Sequence, residues 1–141
     1  GIKVYVAVGA VILGLLFSCP SMANEEEKET RAIEAAQRWL ALIDEGKYGQ
    51  SWETAAIYFK NAVTKDKWVQ TMITFRKPLG KTLSRRLRSK TYRTSLPGAP
   101  DGEYVVIQFT TSFENKRHGI ETVTPMLDKD GRWRVSGYYI K

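Results

Sequence analysis

The sequence contains one cysteine and one histidine in 141 residues. Protein metal sites need several His, Cys or carboxylate side chains at ligand spacing, which a lone histidine and a lone cysteine do not supply. Ser-His-Asp catalysis would have to use His118, which lies in the polar segment ENKRHG, and there is no GxSxG nucleophile elbow. PLGK and LPGAPDG lack the strand–loop–helix order of a phosphate-binding loop. The sequence therefore predicts no metal, no cofactor and no catalytic residues.

The chain also lacks an apolar run long enough for a transmembrane helix. The uncharged stretch 4–17 is fourteen residues long, whereas a spanning helix needs about 20. It follows Lys3 and precedes the small-residue motif SMA, an arrangement typical of a secretory signal peptide. We therefore predict a signal peptide over residues 1–23 with cleavage after Ala23, and one domain over residues 24–141 that is periplasmic or secreted.

Cys19 leaves a second interpretation of this segment open. A small residue before a cysteine, at the end of an apolar run, resembles the lipobox of bacterial lipoproteins, where acylation would anchor the domain to a membrane. Phe17 fits poorly, because lipoboxes usually carry a smaller residue there. Lipidation at Cys19 is the alternative to a released domain, and an uncleaved anchor is a third interpretation. Contact with a membrane is expected only if the segment is acylated or retained.

Apolar spacing predicts three helices followed by four strands. The helices are expected from Thr30, over about 51–59, and from Thr64, which suits a helix cap; the third should end near Pro78. The strands are expected in KTLSRRLRSKTYRT, EYVVIQFTTSF, GIETVTPML and RWRVSGYYI. Short polar breaks predict antiparallel neighbours, with Pro125 at an edge or a bulge. The predicted class is α+β, with N-terminal helices packed on a curved antiparallel sheet.

Three separated segments resemble a known family. They are AAQRWLALIDEGKYGQSW, LPGAPDGEYVVIQF and ETVTPMLDKDGRWRVSGYYIK. Over residues 30–141 the chain resembles a family of exported bacterial proteins, domain of unknown function 4019, within the nuclear-transport-factor-2-like (cystatin-like) superfamily. The resemblance implies the cone-shaped fold of that superfamily. It implies no function, because a shared fold does not supply one.

Positive charge is concentrated in the middle of the chain. The net charge is +7, and residues 60–93 carry eleven Lys and Arg residues against one acid. The period-two spacing of Arg86, Arg88 and Lys90 predicts one shared strand face. That face would bind an anionic envelope polymer or a protein partner; the alternative is a solvated edge strand protected by its charge. Nucleic acid is not expected as a partner, because no recognition motif interleaves aromatic residues with these arginines.

Three polar residues are candidates for a pocket between helices and sheet. The superfamily that the chain resembles includes steroid isomerases, which use an inward carboxylate with tyrosine or protonated aspartate as oxyanion donors. Glu121 alternates with Val123 and could share its face, and Glu103 and Tyr104 precede the core run of the second strand. They would serve a cavity-based enzyme or small-molecule carrier. The simpler interpretation is that both carboxylates are wet at strand ends.

The outer face of the sheet offers a third role, as the interface of a structural homodimer. If Val135 faces the helices, strict alternation would expose Tyr138 and Ile140 on the outer face. Residues of the core are expected to include the four tryptophans, although they could instead line an apolar pocket. With no catalytic constellation in the sequence, the favoured interpretation is an exported, non-catalytic binding or interaction domain.

Overall fold

The computed structural model describes residues 20–141. Most of the predicted signal peptide, including Cys19, lies outside the described residues, and the predicted cleavage position after Ala23 falls in the first turn of the first helix. Among the described residues, no helix is long and apolar enough to cross a membrane.

From residue 20 onward, four helices and a short 3₁₀ turn precede the sheet. They are α1 (Pro20–Asp44), α2 (Tyr48–Glu53), α3 (Ile57–Ala62), α4 (Lys65–Phe75) and the turn Lys77–Leu79. The prediction placed the start of α1 ten residues too late, at Thr30. Glutamate and lysine are strong helix formers, and Glu27 pairs with Arg31 at 2.6 Å one turn along the helix. The acidic segment therefore belongs to α1.

The second predicted helix is two short helices. The chain leaves the helical path between α2 and α3, where the backbone N–H of Ala56 donates to the carbonyl of Val135 at 2.8 Å. The start of α4 is as predicted, because the Thr64 hydroxyl accepts from the backbone N–H of Lys67 at 3.2 Å. α4 ends at Phe75, and Pro78 lies in the 3₁₀ turn that follows it.

The four predicted strands form one curved antiparallel sheet in the order of the sequence. They are β1 (Thr82–Arg93), β2 (Tyr104–Phe113), β3 (Lys116–Leu127) and β4 (Trp133–Ile140). The α+β class and the antiparallel pairing of neighbours are confirmed. β3 is an inner strand of the sheet, so Pro125 lies at a register shift and not at an edge.

The core lies between α1 and the inner face of the sheet. Alanines on the buried side of α1 let the helix approach the strands closely, and aromatic rings close its flank. The Trp39 ring lies 6.0 Å from Trp68 and 5.2 Å from Tyr138, centroid to centroid. The fully buried members are Ala32, Ala36, Leu40 and Ile43 of α1 with Val105, Ile107, Phe109, Val123 and Val135 of the sheet.

A bulge in β4 reverses the predicted facing of its last residues. Thr124 pairs with Gly137 and Pro125 with Val135, which leaves Ser136 as an extra residue. One extra residue exchanges the two faces of a strand from that point on. The prediction that Tyr138 and Ile140 would be exposed on the outer face if Val135 faced inward is therefore wrong. Tyr138 packs inward on the core, and the homodimer stays a prediction without these two residues.

A second bulge, in β1, separates the basic residues. Arg86 pairs with Thr110, on the outer face of the sheet, whereas Lys90 pairs with Ile107, which faces the core. Arg88 is the extra residue between them. The prediction of one shared face is therefore wrong. All three side chains are exposed on an edge strand, however, and their role as an anion-binding surface stays a prediction.

Candidate functional site

A buried carboxylate lies at the centre of the most polar part of the interior. Glu121 is 0% exposed, because it follows the same inward row of β3 as Val123. Its Oε1 accepts from Arg85 Nε at 2.7 Å and from Thr111 Oγ1 at 2.6 Å. Its Oε2 accepts from Arg85 Nη2 at 3.2 Å and from the Tyr138 hydroxyl. Both oxygens are therefore fully engaged by donors of the chain.

Arg85 joins this carboxylate to a second one at the C-terminal end of α1. Its Nη1 and Nη2 donate to the two oxygens of Asp44 at 2.7 and 2.9 Å, and the Thr82 hydroxyl adds a third bond at 2.8 Å. Burial raises the pKa of Asp44, but hydrogen bonds from Arg85 outweigh it and leave the pKa below its usual value. For Arg85 burial acts in the opposite direction and lowers the pKa, but the hydrogen bonds to both carboxylates outweigh it and leave the pKa raised.

Arg76 completes the group, which we name the acid–arginine cluster: Asp44, Arg76, Arg85 and Glu121. Arg76 is 3% exposed, and its guanidinium carbon lies 4.6 Å from the centre of the Phe113 ring. It donates to the Gly80 carbonyl at 2.6 Å and to the Thr82 hydroxyl at 3.0 Å, with Asp44 at 3.4 Å. Its Nε has no hydrogen-bond partner in residues 20–141. The cluster therefore holds one incompletely satisfied cation.

The hydrogen bonds define what Glu121 can do chemically. A general base needs a free lone pair that can reach the proton it removes, and here two arginine nitrogens and two hydroxyls occupy the carboxylate. Burial, together with the charge of Glu121, raises the pKa of Tyr138 well above its ordinary value. Tyr138 thus remains a protonated donor. The geometry makes Glu121 a structural anchor between β3, β1 and β4.

A pocket opens beside this cluster, between α4 and the end of β4. We name it the α4–β4 pocket; its volume is about 310 Å³. Its walls are mostly apolar, its cations are Arg76, Lys116 and Lys141, and no Asp or Glu side chain lines it. Phe75 and Tyr139 are 69% and 59% exposed beside it. Tyr138 lies in the wall and touches Glu121, so the pocket meets the cluster through a hydroxyl and a guanidinium.

The three predicted pocket residues do not come together. Glu103 lies at the other end of the sheet from Glu121. Glu121 pairs with Phe109, and Glu103 comes six residues before Phe109, which is about 20 Å along the strand. It accepts from Lys28 Nζ at 2.6 Å and from the Tyr92 hydroxyl at 2.7 Å. The hydrogen bond from Lys28 lowers the pKa of Glu103.

Tyr104 lies on the opposite face of the sheet from both carboxylates. It pairs with Arg93 and Met126 in the outer rows, and its hydroxyl donates to the Pro100 carbonyl at 2.5 Å. Its side chain is buried. It therefore ties the loop before β2 to the outer face and does not reach the acid–arginine cluster.

Sequence reasoning missed three members of the cluster, Asp44, Arg76 and Arg85, and the inward position of Tyr138, whose hydroxyl donates to Glu121. Asp44 and Arg76 end helices, where charged residues are usually solvated, and Arg85 is one of several arginines in β1. Tyr138 was expected on the outer face. The one available signal was a charged residue in an inward row of a strand, which identified Glu121 and would also have identified Arg85 had its pairing been known.

No group of three or more His, Cys, Asp or Glu side chains that could hold a metal ion occurs in the described part of the chain.

Comparisons with known proteins identify the family. No curated protein matches this sequence. The model of a family described as "Protein of unknown function (DUF4019)" matches residues 35–138, from α1 into β4. Because the match covers most of the chain and reaches all four strands, the chain belongs to this family.

Proposed function

We propose that this protein is an exported, non-catalytic binding domain, and that its α4–β4 pocket holds a small molecule with an apolar body and an acidic group. One observation carries the proposal: the pocket combines apolar walls with three cationic side chains and has no Asp or Glu side chain in its lining. Binding sites for small molecules are concave, mostly apolar and carry a few convergent polar groups. A volume of about 310 Å³ lies within the usual range of such sites.

The apolar walls would hold the body of the ligand. Trp68 and Met72 of α4 are buried members of the core that also line the pocket, so they form a rigid wall. Phe75 and Tyr139 provide exposed aromatic surface beside it, which a bound apolar group would cover. Rigid walls lower the ordering cost of binding, because few side chains must be fixed when the ligand enters.

The cations would hold the acidic group. Arg76 lines the pocket and is almost fully buried, and its Nε has no hydrogen-bond partner in residues 20–141. Its contact with Asp44 is long, at 3.4 Å. An acidic group of a ligand beside Arg76 would therefore supply a closer negative charge. Lys116 and Lys141 add positive charge from β3 and the end of β4. A buried cation gains more from an added anion than an exposed one, since solvent screens it less.

Because hydrogen bonds occupy both oxygens of Glu121, ligand binding by the pocket is favoured over catalysis. The alternative is a cavity-based enzyme, which would need an acid that faces its substrate with a free lone pair. Glu121 is engaged by four donors, and it does not line the pocket, whereas Tyr138, which contacts it, does. A carrier that holds an acidic ligand without changing it fits these contacts better.

Export and the superfamily are part of the same proposal. The apolar stretch 4–17 followed by SMA supports a signal peptide cleaved after Ala23, with lipidation at Cys19 as the alternative. Helices on one face of a curved four-stranded sheet are compatible with the nuclear-transport-factor-2-like cone. The mass of the mature N-terminus separates the two export routes, because a diacylglyceryl group on Cys19 would exclude the released form.

Binding of 1-naphthylacetate and of its neutral amide, measured by calorimetry, tests the pocket. The two probes have the same apolar body, so we expect the acid to bind about fivefold tighter or more. Thr71→Trp would fill the pocket and abolish binding, whereas Thr74→Trp, at an exposed position of the same helix outside the pocket, would not. Equal affinities for acid and amide, or unchanged binding by Thr71→Trp, would refute the proposed function.

A further inference from the structure

A second concave surface lies between α1 and β4. We name it the α1–β4 groove; it is open and has a volume of about 950 Å³. α1 forms one wall, and β4 with the turn before it forms the other. The end of α2 closes one side. The lining residues that carry charge or an exposed ring are Arg31, Glu34, Arg38, Glu53, Arg132, Trp133 and Arg134. None of these residues lines the α4–β4 pocket.

The groove contains the one tryptophan whose indole N–H is not used by the described chain. The other three indoles donate to protein oxygens at 2.8 to 2.9 Å, namely Trp39 to Ser51 O, Trp52 to Val63 O and Trp68 to Ser51 Oγ. Trp133 is half-buried and makes no such bond with any residue from 20 to 141. It therefore offers a ligand both an apolar ring surface and a free donor.

Two arginines in the groove are also free of ion pairs. Arg31 is held by Glu27 at 2.6 Å, and Arg134 by Asp128 and Asp130 at 3.0 and 2.8 Å. Arg38 on α1 and Arg132 on the turn before β4 are exposed and form no salt bridge with the described residues. Neither guanidinium is bonded to a carboxylate of these residues, so each can form bidentate bonds to a ligand carboxylate, one on each wall of the groove.

From these contacts we infer that the α1–β4 groove binds an acidic polysaccharide, a chain of sugars that carry carboxylates. A sugar ring has an apolar face that can lie on the indole and hydroxyl oxygens that can accept from its N–H. The carboxylates pair with Arg38 and Arg132. The groove is open and its volume of about 950 Å³ is large for a small molecule, which suits a segment of a polymer. An acidic peptide would use the two arginines but would leave the exposed indole surface without a matching group.

The groove proposal does not depend on the α4–β4 pocket. The two sites share no lining residue, so a small apolar acid bound in the pocket would not contact Trp133 or Arg38 of the groove. Failure of naphthylacetate binding would therefore leave the groove proposal intact. Likewise, failure of polysaccharide binding would leave the pocket proposal intact.

The experiment titrates the full chain with oligogalacturonate, with a neutral galactose oligomer of equal length, and with poly-glutamate, and follows tryptophan fluorescence. Oligogalacturonate should bind tightest and change the fluorescence of Trp133. The double variant Arg38→Gln with Arg132→Gln should bind oligogalacturonate at least about tenfold more weakly, because two charge-assisted contacts are lost. Trp133→Phe should weaken binding about threefold to tenfold and remove most of the fluorescence change.

A second double variant, Arg93→Gln with Arg117→Gln, is the matched control. It removes the same charge from exposed positions of β1 and β3, outside the groove, and should change affinity less than about threefold through long-range charge alone. Equal losses in both double variants would overturn the proposal in favour of non-specific attraction to a basic protein. Tighter binding of poly-glutamate would replace the polysaccharide with an acidic peptide. Unchanged thermal unfolding of each variant shows that the fold is intact.

Discussion

The two carboxylates Glu121 and Glu103 both lie on the inner face of the sheet, Glu121 in β3 and Glu103 just before β2, and each is bound by a cation and a tyrosine. Glu121 has Arg85 and Tyr138, with Thr111 in addition. Glu103 has Lys28 and Tyr92. They differ in solvent access, because Glu121 is 0% exposed and the side chain of Glu103 is 30% exposed. The same set of partners therefore has different energetic consequences at the two ends of the sheet.

Solvent access determines which of the two pairs the fold depends on. Removing one partner of a buried pair leaves a charge that water cannot reach, which costs about 3–5 kcal/mol. An exposed pair contributes about 0–1 kcal/mol, because water and salt screen it and its side chains lose entropy on pairing. The comparison indicates that the acid–arginine cluster holds the sheet to α1, while the Glu103 pair adds little.

The largest effect is expected from Glu121→Gln. The amide keeps the shape but removes the charge, so Arg85 is left with Asp44 as its one anionic partner and an amide N–H would face a donor. We expect the free energy of unfolding to fall by about 3 kcal/mol or more, measured by urea denaturation. Glu103→Gln is the matched control and should lose less than about 1 kcal/mol. Equal losses would show that burial does not distinguish the two sites.

A smaller effect is expected from Tyr138→Phe. The phenyl ring keeps the packing against Trp39, but one oxygen of Glu121 loses its hydroxyl donor. An unsatisfied buried acceptor costs about 1–3 kcal/mol. Tyr92→Phe makes the same change beside Glu103, where water can replace the hydroxyl, and should cost less than about 1 kcal/mol. Urea denaturation of both variants measures the difference, and a greater loss for Tyr92→Phe would contradict the comparison.

The smallest effect is the pH dependence of the Glu103 pair. Its hydrogen bond from Lys28 lowers the pKa of Glu103 in the folded state, so the folded chain binds fewer protons than the unfolded chain in that range. The stabilisation is therefore fully present above the unfolded pKa of about 4.3 and is lost as the pH falls through the folded pKa.

The difference in unfolding free energy between the wild type and Glu103→Gln tests this sign. It should be at most about 1 kcal/mol at pH 7 and should shrink as the pH falls below about 4. Urea denaturation at several pH values measures it. A difference that grows on acidification would mean that the pKa of Glu103 is raised by folding.

The binding proposals depend on the same contrast between satisfied and unsatisfied groups. Glu121 has no free lone pair to offer a substrate, whereas Arg76 in the α4–β4 pocket and Trp133 in the α1–β4 groove each keep a donor without a partner in the described residues. A buried donor without a partner, such as Arg76 Nε, is uncommon in folded proteins, whereas the N–H of the half-buried Trp133 is accessible to a ligand. The ligands we propose each supply the missing acceptor.

Much of the fold could be predicted from local pattern. Thr64 was identified as a cap because its side chain can accept from the third residue of the helix, a contact within four residues. The four strands followed from period-two alternation and short polar breaks. Glu121 was identified because no register shift separates it from Val123, so simple alternation held between them.

The site could be predicted only where alternation was uninterrupted. The bulges at Arg88 and Ser136 each insert one residue, which exchanges the faces of everything after them. A local pattern does not reveal where a strand takes an extra residue, because that depends on the partner strand. For this reason the inward position of Tyr138 and the split of Arg86 from Lys90 were both missed.

The sequence by itself determined the class, the strand order and the family, since these depend on neighbours along the chain. It left Glu121 open between an inward position and a wet strand end, and the structure buries it. Only the tertiary structure decided which charges meet. Arg85 reaches Asp44 across 41 positions and Glu121 across 36, and both contacts depend on strand pairing and on the path of α1. The physical reason is that a buried charge without a partner is strongly unfavourable, so these distant residues must pair. Which residues are buried is decided only when the core assembles.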